Sequence, residues 1–302
     1  MIVIASPGQG AQTPGFLQPW LDLPEVADRL ARWSEVTGLD LVRYGTTADA
    51  EEIRDTAVAQ PLLVSAALAA AAALGATADV VAGHSVGELA AAAIAGVLSP
   101  EDALRFARER GRAMAEASAV TETGMTAVLG GDPDEVLAAI DKHGLTPANI
   151  NGAGQVVAAG TMERLARFAD EPPARARLRP LSVAGAFHTE HMAPAVDRLA
   201  ALAAELPAAD PQVRLLSNRD GTVVTSGREY VDRLVAQVSS PVRWDACMAT
   251  MRELGVTAII ELPPAGTLVG LARRELKGVA TLALKTPDDL AAARELIEAN
   301  AR

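Results

Sequence analysis

Residues 83–88, Gly-His-Ser-Val-Gly-Glu, contain the residue types of a nucleophilic serine turn. A short apolar run, 80–82, precedes them, and 88–95 is rich in strong helix formers, so the local pattern predicts a strand, a sharp turn and a helix. Two glycines flanking Ser85 in that setting are typical of a nucleophile elbow, which exposes the serine hydroxyl. The helix after Ser85 would point backbone N–H groups at a developing oxyanion. An ordinary strand-to-helix turn is the alternative.

A nucleophilic serine needs a base, and histidine is the commonest one near neutral pH. The chain contains four histidines. His84 adjoins Ser85 in the turn and suits a packing or orienting role, and His143 has the surroundings of a solvated helix end. His188 and His191 remain, and their spacing alone does not choose between them. A metal site is disfavoured, because they lie three positions apart whereas the His-Glu-x-x-His zinc motif separates its histidines by four.

The loop at 7–12, Pro-Gly-Gln-Gly-Ala-Gln, follows a predicted N-terminal strand at 2–6. Its glycines permit close approach of the backbone to a ligand. It is not a phosphate-binding loop, because no Gly-Lys-Ser/Thr follows it. We expect it to supply a second oxyanion N–H group beside the serine turn.

Composition and charge narrow the class of protein. About half of the 302 residues are hydrophobic and the net charge is −11, which favours a soluble domain with a large core and argues against a nucleic-acid partner. The single Cys247 excludes an intrachain disulfide and fits a reducing cytosol. No signal-type segment is present, and the longest apolar tract, 62–74, is too short to span a bilayer. We expect a cytoplasmic protein without a membrane contact.

The order of predicted elements indicates an α/β fold with two subdomains. Helix signals occur at 61–74, where Pro61 suits a first helical position, and after Ser99, where Pro-Glu-Asp follows a capping residue. Residues 122–187 follow the order βαββαβ of a ferredoxin-like unit, and we interpret them as an insertion. Alternating strands and helices in 1–121 and 188–302 predict a large subdomain with a mostly parallel, α/β-hydrolase-like sheet.

Along nearly its whole length the chain resembles the malonyl-CoA:acyl carrier protein transacylases and the related acyltransferase domains of polyketide synthases. The shared motifs are Pro7-Gly8-Gln9-Gly10-Ala11-Gln12, Gln60-Pro61, Gly83-His84-Ser85-Val86-Gly87-Glu88, Arg110-Gly111-x-x-Met114, Asn151-Gly152-x-Gly154-Gln155-Val156-Val157, Phe187-His188-Thr189 with Met192, and Pro241-Val242-Arg243-Trp244. One segment departs from the pattern: 261–266 is Glu-Leu-Pro-Pro-Ala-Gly, where many relatives have Glu-x-Gly-Pro-Gly.

The resemblance implies catalytic roles for five residues. Ser85 would be the acylated nucleophile and His188 its partner. The backbone N–H groups of Gln9 and Val86 would form the oxyanion hole. In this family a main-chain carbonyl orients the imidazole, and the matching residue is Gln237, so no carboxylate triad member is required.

It also implies an acyl-group pocket. Arg110 would pair with the free carboxylate of a malonyl group, for which a planar guanidinium is suited. From its helix alone, a solvated surface arginine is the simpler interpretation. Phe187 and Val86 fit a malonyl-selective pocket, because a bulky ring crowds an α-methyl branch. Gln60 and Asn151 would line the same pocket.

The implied function is ping-pong transfer of malonyl from malonyl-CoA to the phosphopantetheine thiol of an acyl carrier protein, without a metal or a resident cofactor. The alternatives are a serine hydrolase, such as a thioesterase or an esterase, that uses the same serine and histidine, and a non-catalytic carrier-binding scaffold. Carrier proteins are typically acidic, so we expect a cationic docking surface, with solvated arginines as the alternative. The candidate residues are Arg164, Arg167, Arg175, Arg177, Arg179, Arg273 and Arg274.

Overall fold

Two β-sheets organise the chain, of which the computed structural model describes residues 1–183 and 185–300. The strands are β1 Ile2–Ser6, β2 Val80–Gly83, β3 Thr123–Gly130, β4 Thr146–Gly152, β5 Gln155–Thr161, β6 Ala176–Pro180, β7 Arg214–Leu216, β8 Val223–Val224, β9 Val242–Arg243, β10 Ala258–Glu261 and β11 Ala280–Ala283. The α-helices are α1 Pro24–Thr37, α2 Leu41–Thr46, α3 Thr56–Leu74, α4 Gly87–Ile94, α5 Pro100–Ser118, α6 Pro133–Lys142, α7 Met162–Asp170, α8 Ala193–Glu205, α9 Gly227–Gln237, α10 Trp244–Glu253, α11 Thr267–Glu275 and α12 Leu290–Asn300. Short 3-10 helices occupy Gln18–Asp22, Glu52–Arg54, Glu190–Met192 and Pro287–Asp289.

The first sheet has six strands in the order β11-β10-β1-β2-β7-β8. All neighbouring pairs that include β1, β2 or β10 are parallel, and only β8 runs antiparallel, to β7. Every residue of β1, β2 and β10 is buried, as expected for parallel strands covered by helices on both faces. The predicted mostly parallel sheet is confirmed.

The second sheet has five strands in the order β6-β3-β5-β4-β9. Its first four strands and the helices α6 and α7 follow the βαββαβ order, so the ferredoxin-like unit is confirmed. The fifth strand, β9, comes from outside this unit and pairs in parallel with β4. The sequence did not indicate β9, because two residues are too few for an alternating pattern. The boundaries at 122 and 187 stay a prediction.

The helix that carries Gln60 begins five residues earlier than predicted. Pro61 is not its first residue: α3 begins at Thr56, and the Asp55 side chain caps it by accepting from the Ala57 N–H group at 2.8 Å. Pro61 has no N–H group to donate to the carbonyl of Ala57. Arg108 Nη1 from α5 donates to that carbonyl instead, at 2.9 Å. A tertiary contact therefore replaces the hydrogen bond that proline removes.

By length and composition α3 is the one helix among the described residues that could cross a membrane. With the residues before Pro61 included it has 19 residues, and 78% of its most apolar window is buried inside the protein. An apolar helix enclosed in this way is typical of a protein core.

Helix α5 runs beside α3 and carries one arginine inward. As predicted, Ser99 caps its start at Pro100, and the Ser99 hydroxyl accepts from the Asp102 N–H group at 3.0 Å. Arg110 is buried with 2% exposure, whereas Arg105 and Arg112 are exposed. Beside Arg110, a Cβ atom on Gly111 would lie 2.7 Å from the carbonyl oxygen of Thr56. The two helices approach closely because residue 111 has no side chain.

Gly87 is required by a second close approach, where α4 passes over β1. A Cβ atom added there would lie 2.2 Å from the Ser6 carbonyl oxygen, which is backbone and has no room to move. We expect Gly87→Ala to destabilise the protein by about 2 kcal/mol or more, as overpacking does. The free energy of unfolding in urea measures this.

Gly270→Ala is the matched control for that substitution. Gly270 lies inside α11, and a Cβ atom added there meets no atom within 4 Å. The same change should stabilise the protein by about 0.5 to 1 kcal/mol, because alanine favours a helix and restricts the unfolded chain. Equal effects of the two substitutions would contradict the predicted clash at Gly87.

Candidate active site

The turn between β2 and α4 has the geometry of a nucleophile elbow. Ser85 adopts a left-handed backbone conformation, with φ of 53°, which costs a non-glycine residue about 1 to 3 kcal/mol. Its N–H group donates to Asn218 Oδ1 at 2.7 Å, and Asn218 Nδ2 donates to the Gly83 carbonyl at 2.7 Å. The Asn218 side chain therefore bridges both sides of the turn and offsets its strain.

Ser85 and His188 are in direct contact, although 103 positions separate them. Ser85 Oγ lies 2.7 Å from His188 Nε2, and His188 Nδ1 lies 2.8 Å from the main-chain oxygen of Gln237. Because a carbonyl oxygen only accepts hydrogen bonds, His188 Nδ1 must carry the proton. Nε2 is then free to accept a hydrogen bond from the serine hydroxyl. His188 also has a positive φ, 61°, and its N–H group donates to the carbonyl of Val238 at 2.9 Å.

The other three histidines make different contacts. His191 belongs to the 3-10 helix Glu190–Met192 and makes no side-chain hydrogen bond within 1–183 and 185–300. His84 Nε2 lies 2.8 Å from Asn151 Oδ1, and its ring packs edge-on against Trp244. His143 differs from expectation: its side chain is mostly buried, and its ring packs edge-on against Phe168.

The His188 imidazole is held neutral. Burial, followed by the positive charge of Arg110, lowers the pKa of His188 to about 3, although the hydrogen bond to the Gln237 carbonyl acts in the opposite direction. A neutral imidazole with Nδ1 protonated is the form that accepts a proton from a serine. The pair is therefore in its basic form at neutral pH.

The loop after β1 lies against the elbow. The His84 N–H group donates to the Ser6 carbonyl at 3.0 Å, and both Gln9 and Ser85 line the same cleft. The backbone N–H groups of Gln9 and Val86 have no hydrogen-bond acceptor among the described residues. Two free donors beside a nucleophile are what an oxyanion requires.

Arg110 brings a positive charge to the nucleophile. Its Nη2 lies 3.3 Å from Ser85 Oγ and 2.7 Å from Gln237 Oε1, and its Nη1 lies 2.7 Å from Gln60 Oε1. No carboxylate lies within 4.0 Å of its guanidinium in the described part of the chain. Burial lowers the pKa of Arg110 to about 10, and the charge of Glu88 partly opposes this. The group stays cationic, and none of the described residues supplies it with an anionic partner.

The cleft above Ser85 has a volume of about 540 Å³ and lies between the two sheets. Its walls include Gln60 and Arg110 from the large unit, and Asn151 from the second sheet. Phe187 also lines it, and its ring is almost fully buried. The residues predicted to bind the acyl group therefore share one cavity with the serine.

Three polar side chains of this site were not predicted from the sequence. Glu88 contacts the backbone N–H group of Asn218 and Nε2 of Gln237, at 2.6 and 2.5 Å. Only the main-chain carbonyl of Gln237 was expected to act, not its amide. Two features of the sequence could have pointed to these residues. Glu88 is the last residue of the elbow motif, and Asn218 follows β7 at the carboxyl edge of the sheet, where binding sites form in parallel α/β folds.

No group of three or more His, Cys, Asp or Glu side chains in 1–183 and 185–300 is arranged to hold a metal ion. Cys247 is a free, buried thiol, and burial raises its pKa well above the usual range. Such a thiol stays protonated and packs as a small apolar side chain.

Comparisons with known proteins agree with one another. The chain matches the model of the acyl transferase domain over residues 5–292. It is 58% identical to the malonyl CoA-acyl carrier protein transacylase of Mycobacterium tuberculosis, with 96% of this chain and 98% of that protein aligned. Its identity to the Escherichia coli protein of the same name is 34%, over 96% of this chain and 97% of that one.

Solved structures give the same result. The crystal structure of MCAT from Mycobacterium tuberculosis superposes with a TM-score of 0.94 at 56% identity, covering 97% of this chain and 99% of that one. A second structure contains a type II PKS acyl-carrier protein in complex with its malonyl-transacylase. It superposes with a TM-score of 0.92 at 31% identity, covering 98% of this chain and 99% of that one.

The hydrogen-bonded pair predicts reactivity toward a fluorophosphonate, which phosphonylates activated serines with loss of fluoride. We expect Ser85 to be labelled at a rate that changes less than about 3-fold between pH 5.5 and 8, because His188 stays neutral well above its pKa. His188→Ala should slow labelling by about 100-fold or more, the usual contribution of a general base. Mass spectrometry of the labelled peptide identifies the site.

His191→Ala is the control for this measurement and should label at the wild-type rate. A labelling rate in wild type that falls with a midpoint near pH 6.5 would contradict the lowered pKa of His188.

Proposed function

This chain belongs to the acyl transferase domain family, and from that premise we propose that it transfers a malonyl group from malonyl-CoA to the phosphopantetheine thiol of an acyl carrier protein. The observation that carries the proposal is Arg110: a buried cation, with no carboxylate partner among residues 1–183 and 185–300, lies 3.3 Å from the hydroxyl of the nucleophile. A malonyl thioester has its carbonyl carbon and its free carboxylate only one methylene apart. One substrate can therefore satisfy both groups.

In the first half-reaction Ser85 Oγ attacks the thioester carbonyl carbon while its proton passes to His188 Nε2. The Gln237 carbonyl accepts from Nδ1 and supports the transient imidazolium. The N–H groups of Gln9 and Val86 hold the oxyanion. When the intermediate collapses, the C–S bond breaks and the CoA sulfur leaves with the proton from His188.

The second half-reaction reverses these steps with another thiol. The phosphopantetheine thiol of the carrier gives its proton to His188 and attacks the ester carbonyl of malonyl-Ser85. Collapse returns the proton to Ser85 and releases malonyl-carrier. The scheme assigns every proton to a protein group or a substrate, so it requires neither a metal nor a resident cofactor.

The remaining pocket residues suit a short acyl group. Gln60 accepts from Arg110 and holds one side of its guanidinium. The Phe187 ring lines the same cleft as Ser85, and its bulk would crowd an α-methyl branch on the acyl group. One methyl group usually changes selectivity by about 1 to 3 kcal/mol, so we expect methylmalonyl-CoA to react more slowly rather than not at all. Asn151, held by His84, lines the same cleft.

A serine hydrolase with water as the acceptor is the main alternative. Arg110 argues against an enzyme for uncharged esters, because such a pocket gains nothing from a buried cation. Comparing hydrolysis of malonyl-CoA with transfer to a carrier protein separates the two functions. A non-catalytic scaffold would form no malonyl-Ser85 ester. We place the enzyme in the cytoplasm, where malonyl-CoA and reduced carrier thiols are found together.

Arg110→Ala tests the carboxylate contact. With the carrier protein as acceptor, kcat/KM for malonyl-CoA should fall by about 100-fold, because a charge-assisted hydrogen bond in a sheltered site is lost. The fall for acetyl-CoA should be much smaller, since it has no free carboxylate. An unchanged malonyl-to-acetyl ratio would refute the proposed role of Arg110.

Two of the predicted docking arginines are well placed for an acidic carrier. Arg177 and Arg179 are exposed on β6, an edge strand, and share one of its faces. The chain then continues through Pro180 and Leu181 into the wall of the cleft. By contrast, Arg167 pairs with Glu163 on its own helix.

Charge reversal at both positions, Arg177→Glu with Arg179→Glu, should raise KM for the carrier protein about 10-fold and flatten its dependence on salt. Arg32→Glu on α1 reverses a single arginine outside the cleft walls and should leave KM unchanged. The rate of Ser85 acylation by malonyl-CoA distinguishes carrier docking from binding of the CoA phosphates. An unaltered carrier KM would show that another surface binds the carrier.

A further inference from the structure

Glu88 is a buried carboxylate to which the proposed reaction gives no role. It lies in the first turn of α4, three residues after the nucleophile, and is 1% exposed. Its Oε1 accepts from the Asn218 backbone N–H group at 2.6 Å, and its Oε2 lies 2.5 Å from Gln237 Nε2. Within the described residues no basic side chain pairs with it directly. A buried charge without a direct counter-ion is costly, so its position calls for an explanation.

The Gln237 amide connects Glu88 to Arg110. Its Nε2 faces the Glu88 carboxylate and, at 3.1 Å, the main-chain oxygen of Ser85. Its Oε1 accepts from Arg110 Nη2 at 2.7 Å. A carboxylate only accepts hydrogen bonds and a guanidinium only donates them. The amide therefore has one favourable orientation, because a flip would create a repulsive contact at each end.

We propose that Glu88 is a positioning residue for the acyl-group pocket: its carboxylate orients the Gln237 amide, which in turn holds the Arg110 guanidinium toward the acyl carboxylate. The proposal rests on the proposed function, because it takes Arg110 as the group that binds malonyl. The Gln237 amide separates the Glu88 carboxylate from the Arg110 guanidinium, and this separation matters chemically. A carboxylate in direct contact with Arg110 would occupy the donors that the substrate needs, whereas a neutral amide oxygen fixes the guanidinium and leaves its charge available.

Protonation of Glu88 should loosen this arrangement, because a neutral carboxyl group no longer requires the N–H end of the amide. Burial raises the pKa of Glu88 to about 7. Hydrogen bonds from Asn218, Gln237 and Tyr230, together with the charge of Arg110, oppose that rise. The Cys247 thiol also faces this carboxylate.

The direction of the pH effect follows from the raised pKa. The folded protein favours the neutral carboxyl group, so the contribution of Glu88 to stability is present at pH 4.5 and is lost as the pH rises through about 7. Positioning of Arg110 changes in the opposite sense and improves as Glu88 ionises. The preference for malonyl should therefore increase with pH where the stability contribution decreases.

Glu88→Gln is the first test, because it keeps the shape and removes the charge. We expect kcat/KM for malonyl-CoA to fall by about 10- to 100-fold, mostly through KM, and the malonyl-to-acetyl ratio to fall by at least about 10-fold. Fluorophosphonate labelling of Ser85, which does not use Arg110, should change less than about 3-fold.

Asp102→Asn is the matched control, a carboxylate-to-amide change at another buried position. Asp102 lies on α5, the helix that carries Arg110, but it contacts Ser99 and Arg105 rather than the cleft. This variant should lose stability and keep the wild-type malonyl-to-acetyl ratio. Thermal unfolding of both variants separates a fall in stability from a fall in selectivity.

The second test uses the wild-type enzyme and therefore does not depend on the folding of a variant. The malonyl-to-acetyl ratio should rise between pH 6 and 8 with a midpoint near 7, and Glu88→Gln should abolish this rise. A ratio that is independent of pH in wild type, or that Glu88→Gln leaves at the wild-type value, would overturn the positioning role. If Arg110→Ala itself leaves the ratio unchanged, the proposed function fails instead.

Discussion

A guanidinium enclosed by amide oxygens and one hydroxyl is the constraint on which the rest of this site depends. Burying the charge of Arg110 without an anion is unfavourable, and the surrounding protein must hold it in place by packing and hydrogen bonds. That requirement explains the close contact of α3 with α5, which Gly111 permits, and the placement of Gln60 on the facing turn of α3. The same approach of α5 to α3 allows α3 to continue through Pro61, because Arg108 from α5 donates to the carbonyl that the proline leaves free.

The reacting pair imposes a second constraint, since both of its members have left-handed backbone conformations. Each costs on the order of 1 to 3 kcal/mol and persists only where neighbouring groups determine it. For Ser85 the neighbours are the Asn218 side chain and the close approach of α4 to β1. For His188 they are the carbonyls of Gln237 and Val238. Ser85 and Asn218 follow β2 and β7 at the carboxyl end of a sheet whose central strands are buried, so the strained elbow is anchored to the core of the fold.

The sequence predicted the parts of this arrangement that local patterns encode. The elbow follows from two glycines around Ser85 between an apolar run and a helix, and the ferredoxin-like unit follows from its order of strands and helices. The choice of His188 over His191 required the family resemblance, because nothing local places either one beside a serine about a hundred residues away. The contacts of Glu88 with Gln237 and Asn218 span 149 and 130 positions, and no periodicity reports such pairs. The early start of α3 was missed because a tertiary hydrogen bond overrides the usual effect of Pro61.

Arg110 and His188 are coupled through charge, and this coupling links recognition to reactivity. The Arg110 cation is one of the causes that lower the pKa of His188 and so weaken it as a base. An acyl carboxylate that pairs with Arg110 cancels most of that charge and removes this cause, so the imidazole becomes a stronger base once the correct substrate is bound. A substrate without a carboxylate leaves the cation uncompensated and the base weak. If Arg110 binds the malonyl carboxylate as we propose, the same contact would help to activate Ser85, so selectivity would be expressed in the chemical step as well as in binding.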